Sequence, residues 1–122
     1  MDKEQALQTF WAQFGVTAYE QNAVPDDATF PYITYESITD NFGAQNVLTA
    51  SIWDKAESWA QCINLLHTIE NTLGYGGYTV NYTNGLMWVK RGMPFAQRQG
   101  DPSDDSIKRI VINTEIEYLS EV

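Results

Sequence analysis

Apolar residues recur at helical spacing in two parts of the chain. The first series has the i, i+3, i+4, i+7 spacing that places every member on one face of a helix. Its members are Leu7, Phe10, Trp11 and Phe14. Asp2 precedes the series as a candidate N-cap, and Gly15 follows it where a left-handed residue commonly ends a helix. We therefore predict a first helix over residues 2–14.

The second series predicts a longer helix that begins at Asp54 or Glu57 and ends near Leu73. Its apolar members are Trp59, Cys62, Ile63, Leu66, Ile69 and Leu73. The glycines of Gly74-Tyr75-Gly76-Gly77 would end this helix. We do not interpret this glycine-rich segment as a phosphate-binding loop, because such loops follow a strand and open a helix, and here the order is reversed.

Elsewhere apolar and polar residues alternate with a period of two, which predicts strands of an antiparallel sheet with one covered face. We predict strands at residues 32–38, 47–53 and 107–119, with a turn at residues 40–43 and a connection at residues 16–29. In the last strand one set of alternate positions is apolar and the other is mostly polar. The first set is Ile110, Ile112, Ile116 and Tyr118, and the second is Arg109, Val111, Asn113, Glu115 and Glu117.

Asn84-Gly85 lies between two runs rich in β-formers, and this pair favours a hairpin with a type I′ turn, with a kink within a longer meander as the alternative. Residues 92–106 follow, with two prolines, two glycines and no periodicity. We interpret them as a loop of about 15 residues, a length that usually marks a functional or disordered segment. Together these elements predict one α+β domain over residues 1–122, in which an antiparallel sheet of four or five strands carries both helices on one face.

The chain is acidic, with a formal net charge of −9. A protein that grips nucleic-acid phosphates needs clustered Lys and Arg, so this balance disfavours such binding and also disfavours binding to anionic membranes. No apolar run approaches the roughly 20 residues of a membrane span, and the N-terminus lacks the apolar segment of a secretory signal. We expect a soluble protein that stays in the compartment where it is made.

No set of residues has the spacing of a catalytic or metal-binding motif. Cys62 has no disulfide partner and no zinc-ligand spacing, so we interpret it as a core residue. His67 lies beside the second apolar stripe, and we interpret it as a surface residue, with a general base or metal ligand as the alternative. The Asp-rich turns lack the spacing of a calcium loop. We expect no catalytic residue, no cofactor and no metal.

Opposite charges gather at the two ends of residues 92–106. The candidate interface residues there are Lys90, Arg91, Phe95, Arg98, Asp101, Asp104 and Asp105. A basic side on one subunit and an acidic side on the next would suit a head-to-tail contact, which closes into a ring when the rotation allows it. The alternative is a solvated loop whose charges neutralise one another.

An acidic turn, Pro25-Asp26-Asp27, leads into Phe30-Pro31-Tyr32, and the prolines limit strand pairing here to a strand start or an edge. A polar strand, the amphipathic segment Trp53–Leu73, a hairpin and the long strand Ile107–Tyr118 follow. This arrangement resembles the tail-terminator and tail-completion (head–tail joining) proteins of long-tailed bacteriophages and prophages. The long segment 92–106 is a departure from the pattern, at a place where such proteins differ freely in length.

The resemblance implies a structural virion protein without catalysis. Such a protein assembles as a ring, commonly a hexamer, that caps the completed tail tube and joins it to the head connector. Its implied partners are copies of itself, the tail tube protein and the head connector proteins, while DNA passes through an acidic lumen without specific binding. Its implied location is the tail–head junction of the virion, and the host cytoplasm before assembly.

Two other classes of function stay open at this point. An acidic inhibitor or immunity-type module could bind a basic partner protein through charge complementarity. Capture of one basic toxin or nuclease would favour that hypothesis, whereas a ring in electron micrographs would favour the virion part. A small enzyme has the least support, because no recognisable motif places a pair of titratable residues together.

Overall fold

The computed structural model describes residues 1–37 and 46–120, apart from the side chain of Ser120. The described elements are α1 (Lys3–Ala12), β1 (Thr17–Glu20), β2 (Tyr32–Tyr35), β3 (Asn46–Lys55), α2 (Ala60–Leu73), β4 (Tyr78–Tyr82), β5 (Gly85–Asp101) and β6 (Asp104–Ser120). The predicted turn at residues 40–43 and the predicted strand end at Ile38 lie outside the described residues. The α+β prediction is confirmed, with its two helices.

Helix α1 begins at the predicted cap. The Gln5 N–H donates to the Asp2 carboxylate (2.8 Å), and the Asp2 N–H donates to the Gln5 side chain (2.9 Å), which forms a reciprocal capping box. The helix ends at Ala12, and Gly15 has a φ of 84°. The four predicted apolar positions of this helix are all buried, namely Leu7, Phe10, Trp11 and Phe14.

Helix α2 begins later than the sequence predicts. Asp54 and Lys55 continue strand β3, where they pair with Lys108 and Ile107 of β6, so neither they nor Glu57 starts the helix. Strand pairing with β6 outweighs the capping preference of Asp54. The predicted end is confirmed, because the helix stops at Leu73 and Gly74 has a positive φ of 56°.

The sheet has six strands and is mixed, which corrects the prediction of four or five antiparallel strands. Its strand order is β1-β2-β3-β6-β5-β4. Strand β1 pairs with β2 in parallel, and the other neighbours are antiparallel. Residues 16–29 were expected to be a connection throughout. The four residues Thr17–Glu20 are too few to show a period, and only their pairing with β2 identifies them as a strand.

The predicted loop over residues 92–106 is wrong. Its first part continues β5 to Asp101, and its last part begins β6 at Asp104, with Pro102 and Ser103 between them. Residues 92–95 lie opposite Asn113 alone, so Gly92 and Pro94 form part of a β-bulge. Beyond the bulge, residues 97–100 of β5 are exposed on both faces, so no alternation of apolar and polar residues marks the strand.

The hairpin between β4 and β5 is confirmed, but its turn is not the predicted one. Tyr82 pairs with Gly85, so Thr83 and Asn84 form the two-residue turn. Asn84 has a φ of 65°, and Thr83 is not among the residues with positive φ. A type I′ turn needs positive φ at both central residues, so the predicted turn type is wrong.

Both helices pack on one face of the sheet, as predicted, and contribute to one core. The buried strand residues that meet them include the predicted apolar face of β6 and the alternate positions Leu48, Ala50 and Ile52 of β3. Helix α2 contacts β3, β5 and β6 in the middle of the strand order. Helix α1 contacts β1 at one end of that order and β4 at the other, so it bridges the two ends of the sheet.

Candidate interaction surfaces

Strand β5 presents a free edge on the side where β4 stops. Strand β4 pairs with β5 only from Gly85 to Val89, and within the described part of the chain no strand pairs with the rest of that edge. Two large apolar side chains are almost fully exposed beside it, Met93 at 94% and Tyr75 at 102%. We call the surface formed by Tyr75, Arg91, Met93, Phe95 and Arg98 the bulge edge.

Arg91 is the centre of the bulge edge. Its Nη2 donates to the Glu70 carbonyl (3.1 Å), and its Nη1 lies 4.0 Å from the Glu70 carboxylate. The guanidinium lies over the rings of Tyr75 (5.3 Å) and Phe95 (5.7 Å), which is cation–π geometry. Its Nε is buried without a hydrogen-bond partner among the described residues. These contacts hold Arg91, Tyr75 and Phe95 together, and arginine and aromatic residues are enriched in protein interfaces.

Arg98 lies farther along β5, on the face that carries α2. Its guanidinium stacks over the Trp59 ring at 5.4 Å, and the Lys108 ammonium approaches the same ring at 5.6 Å. Arg98 is exposed and forms no ion pair with a described residue. Its charge is therefore available to a partner.

The structure brings only part of the predicted interface together. Arg91 and Phe95 lie in one cluster, and Arg98 follows on the same strand. Lys90 belongs to the opposite face of the sheet, where its ammonium pairs with Glu117 (3.3 Å) and lies over the Trp88 ring (4.4 Å). An alternating strand places neighbours on opposite faces, which separates Lys90 from Arg91.

The predicted acidic residues lie at the tip of the β5–β6 hairpin and bind their own turn. Asp101 accepts hydrogen bonds from the N–H (2.8 Å) and hydroxyl (2.7 Å) of Ser103, and Asp104 accepts the equivalent bonds from Ser106 (2.9 and 2.6 Å). The side-chain and backbone hydrogen bonds from these serines lower the pKa of each carboxyl. Asp105 uses its backbone carbonyl, which accepts from the Lys108 ammonium.

The basic and acidic groups therefore do not stand at two ends of a loop. Arg98 and Asp101 are three residues apart on one strand, a separation of about 10 Å at the usual rise per residue. Both charges therefore lie near the same end of the β5–β6 hairpin. The interface role of the seven residues stays a prediction, and the complementary surface that a head-to-tail contact needs must lie elsewhere.

An acidic surface lies at the other end of the strand order, in the segment that connects β1 to β2. We call residues 21–31 the crossover segment. It contains Asp26 and Asp27 and no Lys or Arg. Both aspartates are exposed and form no ion pair with a described residue. Phe30, 38% exposed, borders a groove of about 510 Å³ lined by Gln8, Ala12, Gly15, Val16, Thr17, Ala18, Thr29, Phe30 and Pro31.

The outward edge of β1 is already hydrogen-bonded to its own chain. The Ala18 carbonyl accepts a hydrogen bond from Gln8 Nε2 (3.1 Å), and Gln8 Oε1 accepts one from the Tyr35 hydroxyl. The Glu20 carbonyl accepts from the Ala23 N–H (2.9 Å). Edge strands that carry such contacts are poor templates for further strand pairing.

An aromatic row crosses the sheet face that has no helix. The rings of Tyr32 and Trp53 stack at 6.5 Å, and the Arg109 guanidinium lies 4.6 Å from the Trp53 ring. The Trp53 indole donates to the Thr34 hydroxyl (3.0 Å), and the Arg109 Nε donates to the Ser51 hydroxyl (3.1 Å). These bonds join β2, β3 and β6, so the row is explained as a cross-strand support of the sheet.

The described residues offer no cluster that could bind a metal through three or more His, Cys, Asp or Glu side chains. Cys62 is buried, and burial raises the pKa of its thiol to about 11. His67 is exposed on α2, in agreement with its interpretation as a surface residue. Within the described ranges, no helix has both the length and the apolar character needed to cross a bilayer.

Sequence reasoning missed Tyr75 and Met93. Tyr75 was grouped with the glycines that end α2, and Met93 was placed in the predicted loop. The available signal was composition, because a tyrosine and a methionine beside helix- and strand-breaking glycines are unusual choices for a plain turn. Tyr75 contacts Arg91, which lies 16 residues later in the chain and is brought beside it by the β4–β5 hairpin.

Comparisons with known proteins find a likeness in structure. No protein-family model matches the sequence, and no curated protein matches it. Among solved structures, a chain of one described as "Virion of native gene transfer agent (GTA) particle" has a TM-score of 0.57 and 18% sequence identity. The match covers 96% of this chain and 97% of that one. The two chains share a fold. The likeness extends over nearly the whole length of both, so this fold is also that of a virion component.

Proposed function

We propose that this protein is a structural component of a phage-like virion and acts without catalysis. The observation that carries the proposal is the end-to-end likeness of its fold to a chain of a gene transfer agent virion. A fold alone does not fix a function, so the exposed surfaces are the second support. The bulge edge, where Met93 and Tyr75 are almost fully exposed beside Arg91 and Arg98, offers an apolar and cationic surface for contacts with other proteins.

Within the virion, we assign the protein to the tail–head junction. As a tail terminator it would form a ring, commonly of six subunits, that caps the tail tube and contacts the head connector. The sequence pattern from the acidic turn to the long last strand supports this assignment. The net charge of −9 supports it too, because an acidic lumen lets DNA pass without sticking to the wall.

Electron microscopy of the concentrated protein, alone and mixed with tail tubes, tests the proposal. We expect isolated subunits to be monomeric or weakly associated when dilute, and to form an annulus at the end of a tube. The six-fold ring should appear only at that end if the tube is its template. Persistent monomers that never bind tubes, or a tight closed dimer with a large apolar interface, would contradict the assignment.

A further inference from the structure

The described charges are distributed unevenly between the two ends of the strand order. Arg91 and Arg98 lie on the bulge edge of β5, whereas Glu20, Asp26 and Asp27 lie at β1 and in the crossover segment. Strands β6, β3 and β2 separate the two surfaces. One subunit therefore carries the exposed cation Arg98 near one end of the strand order and the exposed carboxylates Asp26 and Asp27 near the other.

Each of the two surfaces also contains exposed apolar groups. Met93 and Tyr75 project from the bulge edge with almost no burial in the subunit. The groove beside the crossover segment is lined by apolar Val16, Phe30 and Pro31 together with polar Gln8, Thr17 and Thr29, and its volume of about 510 Å³ leaves room for a large side chain. Each surface thus has a charged part and an apolar part that the other surface complements.

We propose that the bulge edge of one copy docks on the crossover segment of a second copy. Arg98 faces Asp26 and Asp27 of the neighbour, and Met93 and Tyr75 pack at the groove beside Phe30. The inference rests on the proposed ring and specifies which two surfaces meet in it. Because the two surfaces differ, the contact is heterologous, and repetition of it closes into a ring when the rotation permits.

Side chains carry this contact, since the backbone of β1 is not available for it. The carbonyls of Ala18 and Glu20 already accept hydrogen bonds from Gln8 and Ala23. The Asp101 and Asp104 carboxylates at the hairpin tip already accept hydrogen bonds from Ser103 and Ser106, so these two are less available to Arg98 of the neighbour. The unpaired aspartates of the crossover segment are the better acceptors.

Charge reversal with rescue tests the docking. Arg98→Glu and the double variant Asp26→Lys/Asp27→Lys each place like charges opposite one another, so each should weaken ring formation on tail tubes about tenfold or more. The triple variant that combines them restores opposite charges at every subunit contact and should recover assembly. Circular dichroism checks that each variant folds, and electron microscopy with sedimentation measures the rings.

Matched controls change the same charge elsewhere on the surface. Lys55→Glu alters an exposed cation at the end of β3, and Glu57→Lys alters an exposed carboxylate before α2. Both should leave assembly within about twofold of the wild type, because exposed charges away from a contact are screened by salt. A truncation of the apolar part, Met93→Ser, should weaken assembly in the wild-type charge background and in the rescued triple variant alike.

The outcomes separate the docking from the proposed function. Rings that form unchanged from Arg98→Glu subunits, or a triple variant that fails to recover, would overturn the docking and leave the tail role intact. Wild-type protein that never forms a ring, alone or on tubes, would overturn the tail role and the docking with it. Loss in each single-surface variant with recovery in the triple variant would support both.

Discussion

At the scale of single residues, Arg91 shows how contacts in the folded chain change the role expected for a charged side chain. The sequence identifies it as a surface cation beside a loop. In the structure its guanidinium contacts the rings of Tyr75 and Phe95 and the carbonyl of Glu70. Arg91 therefore holds two aromatic side chains in place instead of acting as an isolated surface charge. No local spacing in the sequence links Arg91 to Glu70, which lies 21 positions earlier in the chain.

Replacement of Asp2 by Ala should lower the free energy of unfolding by about 1 kcal/mol, because it removes the side-chain half of the capping box. Asp2→Asn keeps an acceptor at the same place and should lose only a few tenths of a kcal/mol. Urea denaturation followed by circular dichroism compares the two. Equal losses for both variants would show that charge near the helix end, rather than the cap, supplies the stability.

Stability should decline at alkaline pH. Burial raises the pKa of Cys62 to about 11 and that of Tyr118 to about 12 in the folded chain. The unfolded chain releases the same protons near about 8.5 and about 10, so the stabilising difference is complete below those values and is lost as pH rises through the folded pKa values. Tyr118→Phe removes the tyrosine contribution.

Urea denaturation across the alkaline range measures this effect. The free energy of unfolding of the wild type should fall as pH rises from about 9 toward 12, and that of Tyr118→Phe should fall less steeply above about 10. Identical slopes for the two proteins in that upper range would contradict the assignment to Tyr118.

At the scale of elements, the bulge in β5 depends on a residue without a side chain. A Cβ on Gly92 would lie 2.8–2.9 Å from atoms of Asn113, which include its backbone carbonyl. Gly92→Ala should therefore lower the free energy of unfolding by about 1–3 kcal/mol through overpacking. Thermal and urea denaturation measure the loss.

Gly100→Ala is the matched control on the same strand. Nothing lies within 4 Å of its added Cβ, and its φ is not positive. Its effect should stay within about 0.5 kcal/mol. A Gly92→Ala protein as stable as Gly100→Ala would mean that the bulge rearranges at no cost.

Elements with strong local signals could be predicted from sequence, and elements defined by pairing could not. The cap at Asp2, the stop at Gly74 and the β4–β5 hairpin depend on residues a few positions apart, so their chemistry is visible in the chain. Strand β1 and the last part of β5 carry no apolar alternation, and only their hydrogen-bonded neighbours make them strands. Pairing with β6 also extends β3 through Asp54 and Lys55, so α2 begins at Ala60, later than the sequence predicts.

At the scale of the whole molecule, α1 holds the two ends of the sheet together. Phe10 is fully buried and contacts Tyr78 of β4 at a ring distance of 5.6 Å, while Trp11 and Phe14 pack against it. Phe10→Ala should cost about 3–5 kcal/mol, the usual range for a buried phenylalanine. The exposed neighbour Thr9→Ala should cost less than about 0.5 kcal/mol.

Hydrogen exchange distinguishes a bridging helix from a peripheral one. In the wild type the amides of α1 should open only with global unfolding, at the same free energy as those of β3 and β6. Phe10→Ala should lower the opening free energy of all three elements together. A helix that exchanges independently of the sheet would contradict its bridging role.

The candidate interface could be predicted only in part. The sequence singled out Arg91, Phe95 and Arg98, because cations and an aromatic residue gather near one segment. From the sequence we assign the acidic partners of these cations to Asp101, Asp104 and Asp105, because a sequence shows only which residues are close along the chain. The strand order separates the crossover segment from β5 by three strands, so no pattern local to β5 could indicate Asp26 and Asp27, the acidic residues of the proposed contact.

The blunted edge of β1 has a consequence for the supply of subunits. Gln8 and the turn at Ala23 occupy the carbonyls through which one sheet would otherwise extend into the next. In the proposed virion role, unassembled copies would accumulate without polymerising into fibrils along that side. Ring assembly under that proposal would draw on a pool of dissolved subunits.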